Sequence, residues 1–201
     1  MAHGRRTFPG TSFPVSARQY ITVGFLERKD VEAPVAFART THPSHRIAVV
    51  GRSLSGAAAL LASPLPIDAL VLESVYPTIE ETLGNRLRLH LGVLGALASP
   101  LLLWQLPPRL AVTPDQLRPI ERLASIDQPI LIVGGDLDRH ATLSETQQRF
   151  DAASEPKALA IFQGAAHVDL LTFDPMQHER EVFGFLEQHL RKLRANGQIL
   201  R

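Results

Sequence analysis

Apolar residues along the chain fall into two kinds of pattern. Short, nearly continuous runs occupy positions 47–50, 67–72, 129–133 and 158–162. Runs of that length predict strands buried on both faces of a parallel sheet. Between them, apolar positions recur every three or four residues, the spacing of one helix face. Residues 22–39 are the first such stretch, with Phe25, Leu26, Val31, Val35 and Phe37 on one side. Pro34 lies inside it and would cost about 3 kcal/mol in a regular interior, which predicts a kink or split. Residues 53–62 are the second stretch, stopped by Ser63-Pro64-Leu65-Pro66.

End signals place the remaining helices. Thr78-Ile79-Glu80-Glu81 is a capping box that opens a helix running to about position 91. An apolar segment follows, ended by Pro107-Pro108, and then a short helix near 119–124. Thr142-Leu143-Ser144-Glu145 is a second capping box, for a helix to about 153. Asp174 is an N-cap with Pro175 at the first helical position and Gln177 placed to reach back. That helix continues to about 194, with Val182, Phe183, Phe185, Leu186, His189, Leu190 and Leu193 as its packed stripe. Residues 1–19 lack periodicity and read as loop. Strands alternating with helices predict an α/β fold: a doubly wound parallel sheet with helices on both faces.

Residues 89–106 contain no Asp, Glu, Lys or Arg and approach the ~20 residues that span a bilayer. Gly92, Gly95 and Pro100 interrupt them, which predicts a broken pair of helices, buried or acting as a lid; contact with a membrane is the alternative. Composition favours a folded domain: 45% hydrophobic and 20% charged over 201 residues. A net charge of +1 gives no global field for nucleic acid. Cysteine is absent, which removes disulfides and thiolate chemistry. Arg5 and Arg6 are followed by no apolar stretch, so no signal peptide is predicted and the expected location is cytoplasmic.

In parallel sheets, functional residues gather at the carboxyl ends of strands. The first strand ends at Gly51-Arg52-Ser53, the second at Glu73-Ser74, the third at Gly135-Asp136-Leu137-Asp138 and the fourth at Gly164-Ala165-Ala166-His167. A serine, carboxylates and a histidine therefore share one edge. Serine is a weak nucleophile until a base takes its proton, and imidazole titrates in the range that allows this. A carboxylate on the other ring nitrogen fixes the tautomer. Ser53 on its own would also serve as a plain helix N-cap. His140 reads as a solvated loop residue, and Trp104 as lid packing or a pocket wall. His42 and His45 lack a third ligand, so no metal is expected, and no phosphate-binding glycine motif points to a cofactor.

The chain resembles the α/β-hydrolase superfamily, in its serine esterase and acyl-aminopeptidase-like branch. The resemblance rests on His3-Gly4-Arg5, the elbow Gly51-Arg52-Ser53-Leu54-Ser55-Gly56, Leu70-Val71-Leu72-Glu73-Ser74, Gly135-Asp136-Leu137-Asp138 and Gly164-Ala165-Ala166-His167. It implies Ser53 as nucleophile, Asp138 as orienting acid, His167 as base and the Leu54 N–H as an oxyanion donor. Glu73 and Asp136 are rival acids. Residues 77–119 would be a helical lid insertion. The implied substrate is a small molecule, an acyl or hydrophobic ester, thioester or amide.

Two departures qualify the resemblance. The usual elbow is G-x-S-x-G, and here Ser55 stands at the second glycine position, where a side chain is expected to crowd the turn. The superfamily's first four strands and its second oxyanion loop have no counterpart, which predicts an N-terminally truncated domain with an exposed first strand. A catalytically impaired, hydrolase-like binding module is the alternative function.

Overall fold

The computed structural model describes residues 21–191. Helix α1 (Arg28–Thr41) leads into strand β1 (Ala48–Arg52), helix α2 (Leu54–Ala62) and strand β2 (Ala69–Glu73). Helices α3 (Ile79–Leu91), α4 (Val93–Trp104) and α5 (Leu106–Leu110) follow. Two 3₁₀ segments, Pro114–Gln116 and Pro119–Ser125, complete the connection to β3 (Ile130–Gly135). Helix α6 (Leu143–Ala152) leads to β4 (Lys157–Phe162). The strands pair in parallel in the order β1-β2-β3-β4, with Val50 opposite Val71 and Leu72 opposite Ile132.

The strand period of two sorts the core into two layers. Leu70, Leu72, Ile130 and Ile132 pack with Val35 of α1, Leu60 of α2 and Leu123. Val71, Leu131, Val133 and Phe162 face the other way, onto Leu170, Val182 and Phe185. Each fully buried leucine or phenylalanine contributes about 1.5–3 kcal/mol. The central strands β2 and β3 are buried at every position, as near-continuous apolar runs require. The first strand departs from the fully buried reading of its apolar run and matches the exposed first strand that the resemblance implies. Among the described residues β1 pairs only with β2, and Val50 is 50% exposed.

Other boundaries shift for identifiable reasons. The first helix begins at Arg28 because the Glu27 carboxylate holds residues 22–27 in a tight loop, accepting from the Thr22 and Gly24 N–H groups at 3.0 and 2.8 Å. It then runs unsplit through Pro34, where Val31 and Val35 hold it to the core on either side. Thr78 caps α3 as predicted, accepting from the Glu81 N–H at 3.3 Å; the Glu81 carboxylate takes the Thr78 hydroxyl instead of its N–H. Gly92, at φ 60°, breaks the apolar segment between α3 and α4. Gly95 then lets the two helices touch, since a Cβ there would lie 2.4 Å from the Leu87 carbonyl oxygen. Pro107 and Pro108 open α5 instead of ending a helix, because proline fits the first turn. Among the described residues no helix is long and apolar enough to cross a membrane.

After β4 come α7 (Leu170–Phe173), which periodicity did not predict, α8 (Pro175–His178), a π-helical turn Glu179–Phe183 and α9 (Gly184–Leu190). Asp174 caps α8, accepting from the Gln177 N–H at 2.9 Å. The Gln177 side chain does not reach back; its Nε2 donates to the Ile161 carbonyl of β4 at 3.0 Å. The wider turn rotates the stripe, burying Val182 and Phe185 while Phe183 is 50% exposed. Leu193 lies outside the described residues.

Candidate active site

The chain passes from β1 to α2 through a single residue, Ser53, at φ 50° and ψ −117°. Non-glycine residues rarely hold such angles, at a cost on the order of 1–3 kcal/mol. Neighbouring groups over-determine the turn. The Ser53 N–H donates to the Glu73 carbonyl of β2 at 2.8 Å, and the Ala57 N–H returns to the Ser53 carbonyl at 3.1 Å. Below it, Gly51 and Gly56 are in backbone contact: a Cβ on Gly51 would lie 2.5 Å from the Gly56 Cα.

Ser55 does not crowd this turn. Its side chain is exposed, and its hydroxyl accepts from the Arg52 N–H at 3.0 Å and donates to the Arg52 carbonyl at 2.8 Å. The residue that must lack a side chain is Gly56, where a Cβ would meet Val75 Cγ2 at 2.2 Å and the Gly51 carbonyl oxygen at 2.8 Å. The close approach has moved one position along the helix, and the serine braces the turn from outside.

The loops after β3 and β4 are joined to each other. Asp136 accepts from the Gly164 N–H at 2.6 Å, and the Leu137 N–H donates to the Ala165 carbonyl at 3.0 Å. Gly135 permits this contact, since a Cβ there would lie 2.2 Å from that same oxygen. Asp138 Oδ1 accepts from the His140 and Ala141 N–H groups at 2.8 and 3.0 Å. Its Oδ2 lies 2.8 Å from His167 Nδ1, and His167 Nε2 lies 3.1 Å from Ser53 Oγ. With the Nδ1–H donated to Asp138, Nε2 is free to accept the serine proton. Burial pushes the Asp138 carboxyl up, but the hydrogen bonds from His167, Ala141 and His140 outweigh it and hold the pKa below its ordinary value.

The rival carboxylates are engaged elsewhere. Glu73 Oε1 is 2.8 Å from His178 Nε2 in a buried pair that ties β2 to α8. Asp136 is committed to Gly164. Leu54 is the first residue of α2, so its N–H is among the four that lack a helical partner, at the positive end of the helix dipole.

Several neighbours escaped the sequence reading. His140 is half-buried rather than solvated, with its ring 5.1 Å from that of His167. Burial, then the nearby His167, lower its pKa. Its place two residues after Asp138 was the available signal. Arg52 forms an ion pair with Asp169, joining the turn that holds Ser53 to the loop that holds His167. Trp104 is 74% exposed and does not line the cavity, whereas Leu102, itself partly exposed, does, and Leu103 and Leu106 pack against the core. His3-Gly4-Arg5 lies outside the described residues.

A cavity of about 860 Å³ opens beside Ser53 and Leu54, walled by Tyr76, Ile79, Leu83, Leu102, Leu106 and Leu110 among others. A second cavity, of about 210 Å³, is lined by Arg52, Ser53, Ser74, His167, Val168 and Asp169. Ser53 therefore stands between a large apolar space and a small polar one.

No protein-family model matches the chain. An uncharacterized protein of Mycobacterium tuberculosis strain H37Rv is 34% identical over 125 residues, covering 62% of this chain and 38% of that protein. Among solved structures, the esterase Pf2001 of Pyrococcus furiosus superposes with a TM-score of 0.67 at 21% identity, over 86% of this chain and 65% of that one. The esterase domain of a Rhodothermus marinus protein gives 0.56 at 18% identity, over 80% and 67%. The acylaminoacyl peptidase of Pyrococcus horikoshii gives 0.60 at 17% identity, over 85% and 29%. The chain thus spans less than two thirds of the mycobacterial relative and of Pf2001.

The four parallel strands and their flanking helices are part of an α/β-hydrolase fold. The expected fold class is the observed one.

Proposed function

We propose that the protein is a serine hydrolase that cleaves an ester, thioester or amide through an acyl-enzyme. The carrying observation is His167, with one ring nitrogen 2.8 Å from Asp138 and the other 3.1 Å from Ser53 Oγ. In this reading His167 Nε2 takes the Ser53 proton as Oγ attacks the substrate carbonyl. The developing oxyanion is stabilised by the Leu54 N–H and the α2 dipole. The tetrahedral intermediate collapses, and His167 returns the proton to the leaving alcohol, thiol or amine. Water then repeats the sequence, releasing the acid and restoring Ser53. Asp138 stays ionised, orients the ring and stabilises the imidazolium. No step as written calls on a metal or cofactor.

The helical insertion at 77–119 acts as a lid in this proposal, since α3 and α5 wall the large cavity beside Ser53. Its leucine lining suits a hydrophobic acyl group, and the cleft fits a small molecule rather than nucleic acid. Turnover of short p-nitrophenyl esters tests the reading. Wild-type protein hydrolyses them, and Ser53→Ala and His167→Ala do not. Absence of turnover by the wild type favours the non-catalytic binding module instead.

A further inference from the structure

Two cations line a cavity whose other walls are mostly apolar. On α3, Ile79, Thr82, Leu83 and Arg86 recur at helical spacing and line one wall. On α5, Leu106, Arg109 and Leu110 also line the cavity. Both arginines are exposed, so they stand at the cavity mouth while the leucines form its interior. Neither makes an ion pair or side-chain hydrogen bond with a described residue. Other arginines are partnered, as Arg39 and Arg46 are with Asp68, Arg52 with Asp169 and Arg191 with Glu187, while the guanidiniums of Arg122 and Arg139 have no ion pair among the described residues and do not line this cavity.

The surroundings leave this charge uncompensated. No Asp or Glu lines the cavity among the described residues. Glu27, the carboxylate acting on the Tyr76 wall, is already taken by Thr22 and Gly24. Residues 1–20 contain no Asp or Glu at all. The charge of Arg86 reaches both Tyr76 and His140, so it acts on the space between the cavity and the loop after β3. A guanidinium is a planar fork matched to carboxylate or phosphate. Paired guanidiniums at the mouth of a low-dielectric cleft also concentrate anions there.

We propose that Arg86 and Arg109 form an anion subsite, and that the substrate is an ester or thioester whose apolar acyl chain carries an anionic group, a carboxylate or phosphate. The chain fills the leucine-lined cavity, its carbonyl lies at Ser53 and its charge meets the two arginines at the mouth. This substrate class rests on the serine-hydrolase reading; the anion subsite does not need turnover to be detected. Hydrolysis of a half-ester then adds one water across the acyl–oxygen bond and releases a dicarboxylic acid and an alcohol.

Two arms test it. In the first, p-nitrophenyl octanoate is compared with the mono-p-nitrophenyl ester of suberic acid, which has the same chain length but ends in a carboxylate. The expected kcat/KM ratio favours the anionic ester by about tenfold, the range of a charge-assisted hydrogen bond. Arg86→Gln with Arg109→Gln brings the ratio near one, and Arg86→Lys retains part of it. In the second, octyl phosphate and octanol are titrated into Ser53→Ala protein by calorimetry, with thermal unfolding as the folding control. Phosphate binding about tenfold tighter, lost in the double glutamine variant, supports the subsite even if no ester is hydrolysed. Equal binding of both ligands, or an anion preference unchanged in a folded double variant, overturns it. Preference for the neutral ester overturns the substrate class while leaving the hydrolase reading intact.

Discussion

Gly51 and Gly56 meet backbone to backbone beneath Ser53, with no room for a methyl group on either. The contact locks the end of β1 to the first turn of α2 and holds Ser53 in its strained conformation. Gly56→Ala would place a Cβ against Val75 and the Gly51 carbonyl. It is expected to destabilise the fold by about 1–3 kcal/mol, the usual cost of overpacking, and to lower activity by displacing Ser53. Urea denaturation and ester turnover measure the two effects.

Ser55 behaves oppositely, because its hydroxyl only closes the outer side of the turn on Arg52. Ser55→Gly restores the G-x-S-x-G spacing but removes that brace. Stability is expected to fall by about 1 kcal/mol, roughly the net worth of a hydrogen bond, and ester turnover to persist. A collapse of activity with the fold intact would show that the turn depends on Ser55.

Asp138→Asn keeps the shape of the acid but alters its charge and the tautomer it selects. Turnover is expected to drop on the order of 10³–10⁴-fold. The folded-state pKa of Asp138 lies below its ordinary 3.8, so its ionised form contributes stability above that pH. That contribution is lost as pH falls through the lower folded value. The stability gap between wild type and Asp138→Asn should therefore be full at pH 6 and narrow below pH 4, which denaturation at several pH values resolves.

His140 also favours its deprotonated form, which here is the neutral ring. Its lowered pKa means that the unfolded chain binds a proton more readily than the folded one. Stability conferred by the neutral ring is present above pH 6.5 and is lost as pH falls below it. His140→Gln is expected to flatten the fall in unfolding free energy between pH 7.5 and 5. An unchanged slope would show that the ring is not kept neutral.

Much of this architecture was legible from periodicity, and the exceptions have physical causes. Four apolar runs located four strands because a parallel sheet covered on both faces needs unbroken hydrophobic segments. Val50 departs from that rule because, among the described residues, β1 pairs on one side only; its apolar run does not record this, whereas the resemblance implied it. Pro34 was expected to split a helix, yet Val31 and Val35 anchor it on both sides. The order of Ser53, Asp138 and His167 could be read from strand ends, whereas their separations follow from the Asp136–Gly164 and Leu137–Ala165 bonds that join two distant loops. Arg149 of α6 is wholly buried, which the capping box that located the helix does not record. Arg86 was invisible as part of a cavity, since its wall is completed by α5, which begins where two prolines seemed to forbid a helix.

The central claim is that Ser53 is a nucleophile activated by His167. The most direct measurement is the intact mass of the protein after exposure to a fluorophosphonate probe. One phosphonyl adduct with loss of fluoride is expected, mapped to the peptide containing Ser53 and absent in Ser53→Ala and His167→Ala. An unmodified wild-type mass, or an adduct that persists in folded Ser53→Ala, would contradict it.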